Sequence, residues 1–243
     1  VADADLYVTM HTGVWIMLYP WGKWPEQPSD WELFHHVRDE VNSNISDIPI
    51  RNANQGLYPN CGTSRDYGYG VMGFPTFTFE TDDEQFLLGT VEPLSERLGE
   101  ELDVMNYLVQ NVWYWRARLQ VNSIHIEDGH LRLDVDNLGH ATTRNATLMQ
   151  TDENGVAIWE STNFTVNATS NAVLDLGLYY GGNENVGNWS LYYQKRVIDS
   201  STWVTESVGA DKIEVKKVKP SLLPYPNLVL TLVAILLAAQ KRS

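Results

Sequence analysis

The hydrophobic period of this 243-residue chain changes at about Leu119, and no single regular architecture satisfies both sides of that point. Before it, apolar residues recur at helical spacing between short β-rich runs; after it, they alternate with period two. "SDWELFHHVRDEV" opens on a capping-box pattern, Ser29-x-x-Glu32, and puts Leu33, Phe34, Val37 and Val41 on one helical face. "FPTFTFE", residues 74–80, reads as an aromatic, β-rich strand ending in Glu80. A long helix is expected from about Pro93, with Leu94, Leu98, Leu102, Met105, Val109 and Val112 as its apolar face. Residues 1–118 therefore predict an α/β unit.

From Leu119 the pattern predicts an all-β sandwich over residues 119–215. Ile124 and Ile126, then Leu131, Leu133 and Val135, then Trp189, Leu191 and Tyr193 alternate, and Asp128-Gly129, Asn137-Leu138-Gly139 and Asn154-Gly155 supply turns between runs. The stretch "LRLDVDNLGHATTRNATLMQ" resembles Ig-fold modules appended to prokaryotic surface enzymes. Residues 216–243 read as a linker followed by an anchor. Leu222 to Ala239 is apolar apart from Pro224, Pro226, Asn227 and Thr231, and Lys241-Arg242 follows at once, as expected of a short C-terminal transmembrane helix with a cytoplasmic basic flank.

Composition narrows the function classes. A hydrophobic content of 43% supports a packed core, and a formal charge of −14 without a basic run argues against nucleic-acid binding. Cys61 is the single cysteine, so no internal disulfide forms. The N-x-S/T sequons at Asn44, Asn145, Asn163, Asn167 and Asn188 favour an exported glycoprotein on the extracellular face of the cell membrane.

Chemistry enters at "DLYVTMHTG", where a short apolar strand delivers His11 at its tip. Taken alone, such a histidine is a hydrogen-bonded core residue. Two longer segments change that expectation. "HTGVWIMLYPWG", residues 11–22, and "LYPNCGTSRDYGYGVMGFPTFTFE", residues 57–80, resemble, in the same order, segments near the end of the catalytic domain of zinc metallocarboxypeptidases of the carboxypeptidase A and B type. The resemblance covers about 115 residues and implies a mixed-sheet domain, a Zn2+ cofactor, and release of C-terminal residues from extracellular peptides or proteins. It makes His11 a zinc ligand, Glu80 the general base and Tyr58 the residue that closes over the substrate's C-terminus. It also puts Arg65 at the floor of the specificity pocket, where a guanidinium would favour acidic C-terminal side chains. The alternative for Arg65 is pairing with Asp66, or with Asp82, Asp83 or Glu84.

The same family takes two further zinc ligands from an earlier His-x-x-Glu, and substrate-binding Arg and Asn residues that also come earlier. None matches here. His36-x-x-Asp39 and His125-x-x-Asp128 follow His11 and read as solvated surface. The chain is thus expected to begin inside a domain, with the His11 strand short of sheet neighbours and the chain as given inactive. Two function classes follow: an anchored zinc exopeptidase, or a non-catalytic surface adhesion protein with a degenerate peptidase-like region. A general base at Glu80 favours the first.

Overall fold

A computed structural model describes residues 4–81, 91–181, 187–198 and 203–216. The first unit is built on strands β1 (Tyr7–His11), β2 (Ile16–Tyr19), β3 (Ile50–Asn52) and β4 (Thr76–Glu80), with helices α1 (Trp31–Asn44), α2 (Ala53–Gly56), α3 (Ser64–Gly70) and α4 (Val91–Gln110). The strands form one mixed sheet in the order β1-β4-β2-β3: β1 runs parallel to β4, β4 antiparallel to β2, and β2 parallel to β3. Strand β1 therefore has a sheet neighbour, against the sequence expectation, because β4 returns beside it some 65 residues later by chain number. Its other edge has no partner among the described residues.

Helix α1 buries Leu33, Phe34, Val37 and Val41, the face its spacing predicts, against Met17, Tyr19, Phe77 and Phe79. Its start differs from expectation. The N-cap is Asp30, without a side-chain capping bond, and the Ser29-x-x-Glu32 box does not form. Both nearby carboxylates are engaged by the second unit instead: Asp30 accepts from Val197 N and Ile198 N, and Glu32 accepts from the Thr142 hydroxyl. Helix α4 is also corrected in one respect. Leu98, Leu102 and Val109 are exposed, while Glu101, Val104 and Leu108 are buried. The helix is apolar on more than one side, so the period sets its existence and leaves the inward face to tertiary packing.

The second unit is a sandwich of two sheets. One carries β5 (Leu119–Glu127), β6 (His130–Asn137), β10 (Ser170–Leu178) and β13 (Ile213–Lys216); the other carries β7 (Thr143–Thr151), β8 (Ala157–Glu160), β9 (Phe164–Val166), β11 (Asn188–Gln194) and β12 (Trp203–Val208). Leu131, Leu133 and Val135 of the first meet Leu148, Leu191 and Tyr193 of the second in a common core. Asp128 and Gly129, with φ of 55° and 77°, make the tight β5–β6 turn that the sequence marks, since both central residues of such a hairpin need positive φ.

The units are joined through more than the chain connection. His36 of α1 stacks on His140 of the β6–β7 turn, with ring centroids 3.7 Å apart and planes 14° from parallel. His36 is therefore an inter-unit contact, not solvated surface, because the sandwich covers the flank of α1 on which it stands. His125 bonds Ser123 and lies 3.2 Å from a Glu214 oxygen. No helix among the described residues is long and apolar enough to cross a membrane, and the expected anchor at 222–239 lies outside them.

Candidate active site

Strands β1 and β4 run parallel in a register that ends with His11 opposite Glu80. Both residues therefore stand at the C-terminal rim of the sheet, where open α/β sheets place their ligands. Nδ1 of His11 lies 2.9 Å from Oε2 of Glu80. The two partners differ in environment: the imidazole is 68% exposed and the carboxylate 10%. Glu80 is fixed from both sides, since β4 also pairs with β2, where Ile16 is its register partner. The strand end is closed by Thr81, whose N and hydroxyl both donate to His11 O.

Alternation along "TFTFE" decides what surrounds the carboxylate. Phe77 and Phe79 point into the core under α1, and Thr76, Thr78 and Glu80 share the opposite face. Onto that face α3 lays Arg65, 2% exposed. The guanidinium donates from Nε to Asp66 Oδ1 at 3.2 Å, from Nη1 to Thr78 Oγ1 at 3.3 Å, and from Nη2 to Asn60 Oδ1 at 2.9 Å. Burial lowers its pKa, and the charges of Asp66 and Glu80 oppose that shift. Asp66 is the pairing partner that the alternative reading offered; Asp82, Asp83 and Glu84 lie outside the described residues. The Asp66 carboxylate also takes both of its oxygens to Gly22 N, at 3.1 and 2.9 Å.

Gly22 is required by this packing. A Cβ there would collide with Asn60 and with the Arg65 guanidinium. Tyr58 is 63% exposed on the loop between α2 and α3, and its hydroxyl makes no hydrogen bond to His11, Glu80 or Arg65. An open cleft of about 500 Å3 runs along Gly62, Thr63, Ser64, Asp66 and Tyr67, over the first turn of α3.

The fold thus brings His11 and Glu80 into contact and sets Arg65 on the same sheet face as Glu80. Sequence reasoning missed Asn60, Thr78 and Gly22. The period-two alternation of "TFTFE" is a usable signal for Thr78, whereas nothing local points to Gly22 or Asn60, which matter only through α3.

Among the described residues no three His, Cys, Asp or Glu side chains come together to hold a metal ion. His11 and Glu80 alone do not complete a catalytic zinc site, which takes three protein ligands. What the geometry does define is an imidazole and a shielded carboxylate in contact at the C-terminal ends of two parallel strands of a mixed sheet. Residues 2–96, which hold this pair, match the family model described as zinc carboxypeptidase. No curated protein matches the chain.

Proposed function

We propose that residues 2–96 are part of the catalytic domain of a zinc-dependent carboxypeptidase that releases C-terminal residues, acidic ones by preference, from peptides or proteins. The observation that carries the reading is the His11–Glu80 contact within the matched segment. Glu80 is suited to proton transfer. Its carboxylate is held on a central strand, largely screened from water, with an imidazole edge 2.9 Å away. Such a group can take a proton from a water and return it to a departing amine nitrogen. His11 would give one nitrogen to the metal of this family, and the rest of the coordination would come from residues outside those described.

The acidic preference rests on Arg65. Asp66 takes its Nε, while its Nη1 and Nη2 groups are bonded to the neutral oxygens of Thr78 and Asn60. A substrate carboxylate is a stronger acceptor than either and would form a charge-assisted pair there. Tyr58, exposed on the loop between α2 and α3, would close over the bound end. Export, a position outside the cell and attachment to the membrane through 222–239 belong to the same proposal and are supported by sequence alone.

The test uses the complete catalytic domain containing this chain. His11→Ala should lose both bound zinc and hydrolysis of peptides ending in Glu, while Glu80→Gln should keep zinc and lose turnover by about 10²–10⁴-fold. Zinc retained in full by His11→Ala, or turnover surviving in Glu80→Gln, would overturn the assignment.

A further inference from the structure

The segment that leaves β11 does not stay with the sandwich. Arg196, 1% exposed, sends its guanidinium into the α/β unit: Nε donates to Trp115 O at 2.7 Å, Nη1 to Gly73 O at 2.8 Å, and Nη2 to Asp5 Oδ1 at 3.2 Å. The next two residues donate their backbone N–H groups to Asp30, Val197 to Oδ1 at 2.8 Å and Ile198 to Oδ2 at 3.2 Å. Ile198 packs on the core formed by Phe34, Tyr69 and Phe77. Asp30 is 1% exposed, and burial raises its pKa against the pull of these donors.

Asp30 also holds α3. The Tyr69 hydroxyl donates to Asp30 Oδ2 and accepts from Asp30 N, both at 2.9 Å. Tyr69 stands one helical turn after Arg65, on the same buried face of α3. Gly73, the second anchor, lies in the turn that joins α3 to β4 and is itself bonded from its N–H to Tyr69 O. The sandwich thus grips α3 at its last turn and again just beyond it. The helix is seven residues long, too short to be held by its own backbone bonds, so its position is set by the neighbours that its buried residues meet.

We infer that the 195–198 segment of the sandwich is the brace that positions α3, and through it the Arg65 guanidinium, with Arg196 and Asp30 as positioning residues. The sandwich is then a working part of the substrate pocket, not a spacer behind it. The functional meaning rests on the proposed role of Arg65; the mechanical coupling does not.

Hydrogen exchange measured peptide by peptide on the full chain tests the coupling. Arg196→Met should raise exchange of amides in 64–74 by tenfold or more, well beyond any change in the amides of β6 and β7, and should lower the thermal midpoint because Trp115 O and Gly73 O lose a buried donor. Arg196→Lys, which keeps a buried cation but gathers its donors on one nitrogen, should restore part of the protection. Exchange that rises alike in both units, or not at all in 64–74, would overturn the inference. Should Arg196→Met fail to fold, Asp30→Asn decides on the same criterion, since it keeps an acceptor for Val197 N while weakening the link to Tyr69. No substrate enters this measurement. If Arg65→Leu left peptide preference unchanged in the complete domain, the pocket reading would fail and the brace would stand.

Discussion

His11 and Glu80 are register partners at the ends of two parallel strands separated by 69 positions, and their side chains meet at 2.9 Å. The contact depends on β1 pairing with β4 without slippage. A one-residue slip would turn Glu80 away from the rim and expose Phe79 in its place. The geometry of the His11–Glu80 contact and core burial are therefore enforced by the same alternation.

Arg65 is expected to be costly to remove whatever its role with substrate. Its loss removes the cation paired with Asp66, whose side chain is only 14% exposed, and the positive charge that Glu80 also feels. Arg65→Leu should destabilise the α/β unit by roughly 3 kcal/mol, at the low end for breaking a buried pair because Gly22 N still serves Asp66. Urea denaturation measures it. A change below about 1 kcal/mol would mean the pair is not buried in solution. Arg65→Asp should be worse than Arg65→Leu, since it sets three carboxylates around one site.

Gly22→Ala should disturb the same place from the other side. The added methyl meets the Asn60 carbonyl and amide oxygens and the Arg65 terminus, so either the 57–63 loop or the guanidinium must shift. Overpacking of this kind costs about 1–3 kcal/mol. Because the strain falls on Arg65, discrimination between Glu- and Leu-ended peptides should shrink more than turnover on the Leu-ended one.

The stacked pair His36–His140 predicts acid sensitivity at the junction of the units. Burial lowers both pKa values, His140 to about 4, with His36 adding to the effect on His140; Glu40 and Asp39 partly offset the shift of His36. Glu32, Tyr114 and Trp115 complete the surroundings. Unfolded histidines take up a proton near pH 6.5, before the folded ones do, so the stabilisation is full above that pH and is lost as pH falls toward 4. Thermal midpoints at pH 7.5 and 4.5 check this. His140→Asn should lower the midpoint at neutral pH and flatten the acid limb relative to wild type; parallel profiles would show that the pair does not titrate with unfolding.

Asn137 serves the sandwich as the crossing point of three chain segments. Its Oδ1 accepts from Arg118 N and Gly139 N, and its Nδ2 donates to Ala141 O and Asn167 O. Asn137→Ala strands the buried Gly139 N–H and the half-buried Arg118 N–H and should cost about 2–4 kcal/mol. Asn137→Asp should also destabilise, because it keeps the acceptor and turns the donor into a charge facing carbonyls. Equilibrium unfolding of the two variants separates these contributions.

Legibility in the sequence followed the range of the interactions. Leu33, Phe34, Val37 and Val41, and the alternating Leu131, Leu133 and Val135, face the core because local period dictates it. The pair His11 and Glu80 could be named from two flanking segments whose residue order is distinctive. The capping box at Ser29 and Glu32 failed because Val197, Ile198 and Thr142, far away in the chain, offered the carboxylates of that turn better-placed donors. His36 and the exposed row Leu98, Leu102 and Val109 were misplaced for the same kind of reason. The spacing of α4 is compatible with more than one inward face, and the flank of α1 that carries His36 is covered by the sandwich alone, so in both cases the neighbouring element decides.

The burial of Arg196 also limits how such a protein can be recombined. A different sandwich grafted after residue 118 would not carry a cation reaching Gly73 and Asp5, nor two amides aimed at Asp30, and the buried Asp30 carboxylate at the start of α1 would lose those two donors and keep the Tyr69 hydroxyl. The boundary that looks cleanest along the chain, at the change of hydrophobic period, is therefore the wrong place to cut. A functional chimera would need to keep 195–198 with the α/β unit, so that inheritance follows the contacts and not the linear order of the modules.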